Sequence, residues 1–313
     1  MRLLVDTDLG TDVDDALALL LLLGQPAVEL VGVTTVYGPT RLRARIARRI
    51  LEAAGRQVPV VAGAGRPLGS PMPIWLTGTE GVGMLDEAPA AAPGLDDSEG
   101  AERLIIEQAH AAPDEVTLLC LGPLTNLARA LELDPALPGL LREVVFMGGG
   151  VTLPHPPPPR LEVGREFRSE PSHNVRCDVR AAQRVLDAGF ARLRLVTNDV
   201  TEQLWWTGSS LRGLLEQPAN EAARIVGELL RVWLGHLSQA AGEAVQGTLP
   251  HDPLAAAEAA GQHFCRFARG RMSVDERGAG VFVPSGDGPH EVAFAVEGAA
   301  FVAWFSERMG VWS

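Results

Sequence analysis

Apolar residues in the first two-thirds of the chain form short, uninterrupted runs that alternate with longer segments of helical periodicity. Runs of this kind are typical of strands buried on both faces of a parallel sheet. The predicted strands are residues 3–6, 30–36, 58–61, 116–121, 144–147 and 192–197, and the predicted helices are residues 13–24, 40–54, 99–111, 124–132 and 179–188. The alternation predicts an α/β fold with a mostly parallel central sheet and helices on both faces.

The rest of the chain gives weaker patterns. Segments 62–98 and 148–172 are rich in Gly and Pro and are predicted to be loops. The pattern turns helical after about residue 200 and strand-like beyond about 263, and it ends with a helix near 298–308. No composition break or internal repeat divides the chain, so we predict one domain over residues 1–313.

Composition restricts the class of protein. No apolar run approaches the roughly 18 residues that a membrane span needs, and Asp6 comes too early for a signal peptide. The three cysteines are far apart, as expected for reduced thiols. A net charge of −12 disfavours non-specific binding to nucleic acid. We therefore expect a cytoplasmic protein with neither a membrane nor a nucleic-acid partner.

One segment of the chain is strongly basic although the net charge of the whole chain is negative. Five arginines lie within residues 41–49, but Leu42, Ile46 and Ile50 recur every four residues and form one helical stripe. The arginines occupy the remaining faces. The pattern favours a solvated amphipathic helix over a nucleic-acid-binding patch.

The strongest chemical signal is a group of aspartates directly after the first predicted strand: Asp6, Asp8, Asp12, Asp14 and Asp15. Like charges about 4 Å apart repel by roughly 4 kcal/mol at an effective dielectric of about 20. Helix capping could account for Asp12 and one other acid, but not for all five. Carboxylate oxygens are the ligands that hard cations such as Ca²⁺ and Mg²⁺ prefer. The group therefore predicts an oxygen-ligated divalent metal site.

Further motifs stand near predicted strand ends and helix starts. They are Gly122-Pro123-Leu124-Thr125-Asn126, Met147-Gly148-Gly149-Gly150, His173-Asn174 with Asp178, and His251-Asp252-Pro253. Each has a structural alternative, since Asp178 and Asp252 are expected helix N-caps and the glycines suit any tight turn. Asn174 has no evident structural task, and His251 could donate a proton near neutral pH. In open α/β sheets ligands bind outside the carboxyl ends of the strands, which is where most of these motifs fall.

Taken in this order, the motifs resemble those of the inosine/uridine-preferring nucleoside hydrolases, with supporting similarity at residues 58–68 and 199–201. The similarity runs from residue 3 to about 260. It implies one domain with a Rossmann-like open sheet and Ca²⁺-dependent hydrolysis of the N-glycosidic bond of ribonucleosides to free base and ribose. It also implies a role in nucleoside salvage and a homodimer or homotetramer.

The resemblance assigns residues to the metal and to catalysis. The implied Ca²⁺ ligands are the side chains of Asp8, Asp15 and Asp252 and the backbone carbonyl of Leu121. Asp8 is also implied to take the proton from the metal-bound water as that water attacks the anomeric carbon. His251, next to a metal ligand, is the candidate acid for the departing base.

The substrate residues follow from the same resemblance. Asp14 is implied to accept a hydrogen bond from a ribose hydroxyl, Asn174 is implied to donate to the sugar, and Met147 is a further expected substrate-binding residue. The family often has Glu two residues before the sugar-binding Asn, where it holds the 5′-hydroxyl. Here that position is Ser172, with Glu170 close by, so recognition of the 5′ end is open.

Two other departures affect the site. The acidic motif is two residues longer than the common form, which leaves Asp12 as an extra acid that could compete as a ligand. The family usually has Asn near the attacking water where this chain has Pro39, which lacks an amide side chain. A degenerate or altered-specificity member that binds a modified nucleoside with weak turnover is therefore the alternative function.

A different enzyme class also begins with Asp-x-Asp after a first strand. Phosphatases of the haloacid-dehalogenase type use such a motif with Mg²⁺ and an aspartyl-phosphate, but they need a later lysine. The sequence contains no lysine, which argues against that class. The preferred base is left open: Tyr37 is a candidate pocket residue, and Trp75, Trp205, Trp206 and Trp233 are available for stacking.

Overall fold

The computed structural model describes residues 1–70, 73–83, 85 and 95–310. Within these residues the strands are β1 (Arg2–Thr7), β2 (Glu29–Thr35), β3 (Val60–Ala62), β4 (Val116–Cys120), β5 (Glu143–Met147), β6 (Phe167–Ser169), β7 (Leu193–Val196), β8 (Trp206–Thr207), β9 (Gly247–Thr248), β10 (Cys265–Val274), β11 (Gly280–Pro284) and β12 (His290–Val296). The helices are α1 (Asp14–Leu23), α2 (Thr40–Ala53), α3 (Ala101–Ala111), α4 (Thr125–Leu133), α5 (His173–Cys177), α6 (Val179–Leu186), α7 (Asn198–Thr201), α8 (Ser209–Glu216), α9 (Glu221–Ala241), α10 (His251–Ala259) and α11 (Gly298–Gly310).

Ten of the described strands form one sheet in the order β3-β2-β1-β4-β5-β7-β12-β10-β11-β6. From β3 to β12 in this order the pairing is parallel, whereas β10, β11 and β6 pair antiparallel. The predicted mostly parallel sheet is therefore confirmed. The loop prediction for 148–172 was wrong in part, because it contains β6, whose three residues are too few to show a periodic pattern.

Helices cover both faces of the sheet. Along β1, Leu3 and Val5 point into one core and Leu4 into the other, as the two-residue period of a strand requires. Helices α1, α2, α9 and α10 pack on the first face, and α3, α4 and α6 pack on the second. Every residue of α1 is buried, as expected of a helix that is apolar on all sides. Among the described residues, no helix is both long enough and apolar enough to cross a membrane.

The order of the strands creates a crevice beside β1. The chain places β2 and β3 on one side of β1 and then crosses to β4 on the other side. The segments that leave β1 and β4 therefore diverge, and a ligand site is expected between them. Asp8 follows β1 at this point, and Leu121 follows β4.

The start of α10 differs from its prediction. The helix begins at His251, Pro250 is its N-cap, and no side chain caps it. The expectation that Asp252 is the N-cap was therefore wrong, and the Asp252 carboxylate lies in the first turn. By contrast Asp178 does cap α6, since it accepts the backbone N–H of Ala181 at 3.1 Å.

Candidate active site

A pocket of about 210 Å³ lies at the carboxyl ends of the central strands. Strand ends, the loop 73–83 and the first turns of α1, α5 and α10 contribute to its wall. Eight of the residues that the resemblance assigns to the site line it: Asp8, Asp14, Asp15, Leu121, Met147, Asn174, His251 and Asp252. The sheet topology thus brings together residues that are up to 244 positions apart, from Asp8 to Asp252.

Three carboxylates form the tightest group in this pocket. Oxygens of Asp14, Asp15 and Asp252 all lie within 4.8 Å of one another, and all three residues are buried. Asp15 accepts a hydrogen bond from the Thr7 hydroxyl, and Asp14 accepts the Asp252 backbone N–H at 3.4 Å. Such a group of acceptors with one sign of charge fits a hard divalent cation.

The protonation of these acids reflects burial and mutual repulsion. Burial raises the pKa of Asp14 to about 7, with a further contribution from the Asp8 carboxylate. The pKa values of Asp15 and Asp252 lie well above the usual range, first because of burial and then because of neighbouring carboxylates. A bound cation would reverse this balance, since it favours the ionised form of every acid around it.

Asp8 lies in the same pocket but outside the close group of three carboxylates. Burial raises its pKa, while the Arg43 guanidinium and then His173 act in the opposite direction. Gly122, which follows β4, lies close to it: a Cβ at Gly122 would come within 2.8 Å of the Asp8 Oδ1 atom. A larger residue at position 122 would therefore press against the Asp8 side chain.

Arg43 organises the loop that carries the aspartates, a role that the sequence analysis did not assign to it. Its side chain is fully buried. The guanidinium donates to the carbonyls of Asp8 and Leu9, to the Thr11 hydroxyl and, through Nε at 2.7 Å, to the Tyr37 carbonyl. The prediction of a solvated basic helix therefore holds for its other faces but not for this residue.

Asp6 and Asn126 have a structural role rather than a place in the pocket. The Asp6 Oδ1 atom accepts from the Thr34 hydroxyl and from the Asn126 amide, each at 2.7 Å. The same amide donates to the Thr35 carbonyl, and its oxygen accepts the Ala64 N–H. These bonds tie the ends of β1 and β2 and the residues after β3 and β4 together, which fixes the floor of the site.

Asn174 lies between two backbone carbonyls. Its amide nitrogen donates to the Leu121 carbonyl at 2.5 Å and to the Met147 carbonyl at 3.0 Å. The contact holds the ends of β4 and β5 against α5. It also places the predicted ligand carbonyl of Leu121 beside the predicted sugar-binding residue.

His251 lines the pocket as a half-buried, neutral imidazole. Burial lowers its pKa to about 4. The Nδ1 atom is 2.7 Å from the Thr201 hydroxyl oxygen, which fixes the orientation of the ring. At neutral pH such a ring can offer an N–H to a partner, but it carries no positive charge.

Aromatic side chains form another part of the wall. Tyr37 and Trp75 both contact the ring of His173 edge-on, with centroid distances of 6.3 and 5.7 Å. The Tyr37 hydroxyl accepts the Trp75 backbone N–H, and the buried Glu80 accepts from Thr77 and Thr11. The loop that carries Trp75 is thus anchored to the aspartate loop, residues 8–13 between β1 and α1.

Two predicted substrate residues lie elsewhere. Ser172 and Glu170 line a neighbouring cavity instead of the acidic pocket. The Ser172 hydroxyl accepts the Gly149 backbone N–H at 2.9 Å. Asp12 does line the acidic pocket, but its carboxylate accepts the Val13 backbone N–H and is outside the close group of three.

The family model for inosine-uridine preferring nucleoside hydrolases matches residues 3–303. The chain belongs to this family. It is therefore a hydrolase that acts on N-glycosyl compounds, and the resemblance that the motifs indicated is confirmed.

Curated relatives of this nucleoside hydrolase come from different organisms. An uncharacterized protein of Schizosaccharomyces pombe is 31% identical over 258 residues, which cover 81% of this chain and 78% of the relative. A probable uridine nucleosidase 1 of Oryza sativa subsp. japonica is 28% identical and covers 88% and 82% of the two chains. The inosine-uridine preferring nucleoside hydrolase of Leishmania major is 35% identical, but over 48% of each chain.

Solved structures agree with this nucleoside hydrolase in fold. A plant nucleoside hydrolase has a TM-score of 0.79 at 24% identity and covers 99% of both chains. A purine-preferring ribonucleoside hydrolase from Gardnerella vaginalis also has a TM-score of 0.79, at 25% identity, and covers 99% of this chain and 98% of its own. The mostly parallel sheet and its flanking helices are therefore those of a nucleoside hydrolase.

Proposed function

We propose that this nucleoside hydrolase uses Ca²⁺ and water to cleave the N-glycosidic bond of ribonucleosides, releasing free base and ribose. The observation that supports this most directly is the group of three buried carboxylates, Asp14, Asp15 and Asp252, in the crevice beside β1. Without a cation, so much like charge in a buried pocket is costly. With a cation, the same groups form a ready set of oxygen ligands.

The residues that would hold Ca²⁺ fit its chemistry. Asp15 and Asp252 are both predicted ligands and members of the close group, and Leu121 lines the same pocket. We propose these three with Asp8 as the ligand set, and we propose that Asp14 accepts from a ribose hydroxyl. When bound, the cation lowers the pKa of water and orients the diol of the sugar.

The remaining chemistry belongs to side chains of this protein. We propose that Asp8 accepts the proton of the attacking water, since it lies just outside the close group. The transition state resembles an oxocarbenium ion, and the surrounding carboxylates favour its developing positive charge. Both amide N–H groups of Asn174 donate to the Leu121 and Met147 carbonyls, so we propose that its Oδ1 atom accepts a hydrogen bond from a sugar hydroxyl.

We test the function with a panel of inosine, adenosine, guanosine, uridine and cytidine in a reducing-sugar assay. We expect at least one nucleoside to release ribose, and we expect chelation to remove and Ca²⁺ to restore the activity. The named activities of the relatives include both uridine and purine hydrolysis, so both kinds of base belong in the panel. If no nucleoside releases ribose although Ca²⁺ binds, the proposed activity is wrong.

His251 gives a prediction about the leaving group. Because burial keeps the ring neutral, we propose that it assists departure of the base through an N–H hydrogen bond. We expect His251→Ala to lower kcat on the best nucleoside by about 100-fold, at the low end of general acid catalysis. A 4-nitrophenyl riboside, whose leaving group needs no proton, should lose less than about threefold.

The comparison between the two substrates is the control for that prediction. A variant whose active site was distorted or unfolded would lose activity on both substrates. Equal losses on the nucleoside and on the 4-nitrophenyl riboside would show that His251 does not act on the leaving group.

Ca²⁺ should stabilise the protein more at pH 7.5 than at pH 5. Burial raises the pKa of Asp14 to about 7, so in the folded protein this acid keeps its proton until well above the usual range. Its contribution to stability is therefore present at low pH and is lost as pH rises through about 7. Ca²⁺ competes with the proton and restores that stability when the carboxyl group is ionised.

The measurement is the rise in Tm on adding Ca²⁺ to chelator-treated protein at each pH. The buried His290 has a lowered pKa and loses stability in the opposite direction, as pH falls. Because His290 does not line the acidic pocket, its effect is the same with and without Ca²⁺ and cancels in the Ca²⁺-dependent rise in Tm. A rise that is equal at pH 5 and pH 7.5 would contradict the role of these carboxylates.

A further inference from the structure

A second cavity of about 360 Å³ adjoins the acidic pocket. His173 and Asn198 line both spaces, so these two side chains mark the boundary between them. The second cavity is also lined by Gly149 and Gly150 from the chain after β5, and by Ser172 in front of α5. It therefore lies directly beside the place where the sugar is expected.

The chemistry of the second cavity differs from that of the acidic pocket. Its described wall has no Phe, Tyr or Trp and is largely polar. The wall contains three acidic residues, Glu170, Asp199 and Glu202, and one arginine, Arg176. The excess of negative charge favours neutral or cationic groups and opposes phosphate.

The two spaces suit different parts of a nucleoside. With the ribose diol at the carboxylates, the base on C1′ and the hydroxymethyl group on C4′ remain to be placed. Bases stack on aromatic rings, and Tyr37 and Trp75 lie in the wall of the acidic pocket. The polar second cavity is left for the C5′ end of the substrate.

The Ser172 side chain does not block the space between the expected sugar position and the second cavity. The side chain is short, and its oxygen accepts the Gly149 backbone N–H at 2.9 Å. A carboxylate that could cap a 5′-hydroxyl is therefore missing at position 172. The nearest acids of the second cavity, Glu170 and Glu202, are exposed enough to meet a longer substituent.

We propose that the second cavity binds a substituent on C5′ of the substrate, so that nucleosides with a neutral or cationic 5′ extension are substrates and 5′-phosphates are excluded. The inference rests on the proposed function, because it takes the sugar to lie at the carboxylate group. Glu202 provides the negative charge for a cationic substituent and is itself oriented by the Asn198 amide at 3.4 Å.

The experiment compares kcat/KM for four compounds with the base that the nucleoside panel prefers. They are the parent nucleoside, its 5′-O-(2-hydroxyethyl) ether, the 5′-(2-aminoethyl)amino-5′-deoxy derivative and the 5′-monophosphate. We expect the ether within about threefold of the parent and the amine at least about threefold above the ether, as a partly exposed ion pair allows. The phosphate should fall at least about 100-fold below the parent.

A pair of variants then tests the cavity itself. Glu202→Gln should lower the ratio of amine to ether by about threefold, whereas Glu107→Gln, on the exposed face of α3, should leave the ratio unchanged. The ratio within each variant is independent of any change in overall activity. An unchanged ratio in Glu202→Gln would overturn the assigned charge preference.

The outcomes separate this inference from the proposed function. If the parent is hydrolysed but the ether and the amine both fall more than about tenfold, the cavity does not take a 5′ substituent and the hydrolase activity stands. If neither the parent nor any derivative is hydrolysed, the proposed function itself fails. Hydrolysis of the phosphate at the rate of the parent would also overturn the inference.

Discussion

Asp252→Asn should lose both Ca²⁺ binding and activity while the fold remains intact. Asp252 is a buried member of the close carboxylate group, and it comes from α10 rather than from the aspartate loop. Removing one charged ligand forfeits several kcal/mol of cation binding and transition-state stabilisation. A loss of about 3–4 kcal/mol corresponds to about 100- to 1000-fold in kcat/KM.

The stability of the metal-free variant distinguishes a lost ligand from a lost fold. In the metal-free parent, Asp252 is surrounded by carboxylates that disfavour its ionised form. The amide is nearly isosteric and uncharged, so chelator-treated Asp252→Asn should melt at or above the temperature of the chelator-treated parent.

The measurements are isothermal titration with Ca²⁺, kcat/KM and Tm with and without Ca²⁺. Asp287→Asn, at an exposed position before β12, is the matched control and should behave like the parent in all three. If Asp252→Asn bound Ca²⁺ within about threefold of the parent, Asp252 would not be a ligand.

The sequence was sufficient to predict the frame of the site. Buried parallel strands appear as apolar runs, and their carboxyl ends are where an open α/β sheet binds ligands. Because Asp8 and Leu121 each follow a buried strand, the sequence alone predicted that both lie at this edge of the sheet. The His-Asp-Pro motif and Asn174 were singled out by residue type, their roles came from the family resemblance, and the fold brings both to the same pocket.

Other features depend on side-chain paths that no local pattern encodes. The close group contains Asp14 rather than Asp8, although the family resemblance assigned Asp8 to the metal. Ser172 and Glu170 are near Asn174 in sequence but face the second cavity. The predicted start of α10 was too late in the chain, because a proline fits any position of the first helical turn and Pro253 is not at the first one.

Arg43 is the clearest case of a signal that was present and misread. Its position is three residues before Ile46 and seven before Ile50, so it lies on the apolar stripe of α2. An arginine at such a position indicates either that the position is exposed or that the guanidinium is buried and hydrogen-bonded. Here its partners are the backbone of the aspartate loop and the Tyr37 carbonyl.

Arg43→Met should therefore destabilise the protein and weaken the site together. Methionine fills most of the space, but it leaves the buried carbonyls of Asp8, Leu9 and Tyr37 without their donor. Each unsatisfied group costs about 1–3 kcal/mol, and loss of one partner from a buried charged network costs about 3–5 kcal/mol. We expect a loss of about 4 kcal/mol in the free energy of unfolding, measured in urea with saturating Ca²⁺.

The effect on function should exceed what stability alone produces. At temperatures where Arg43→Met is fully folded, we expect Ca²⁺ affinity to fall at least about tenfold and kcat/KM at least about 100-fold, because the loop that positions Asp8 is released. Arg43→Lys should be intermediate, since an ammonium has three donors and cannot reproduce the fork of a guanidinium. The control is Arg49→Met on the same helix, whose guanidinium meets Glu221 at 3.6 Å at the surface. If folded Arg43→Met kept the Ca²⁺ affinity and kcat/KM of the parent, Arg43 would stabilise the fold without organising the site.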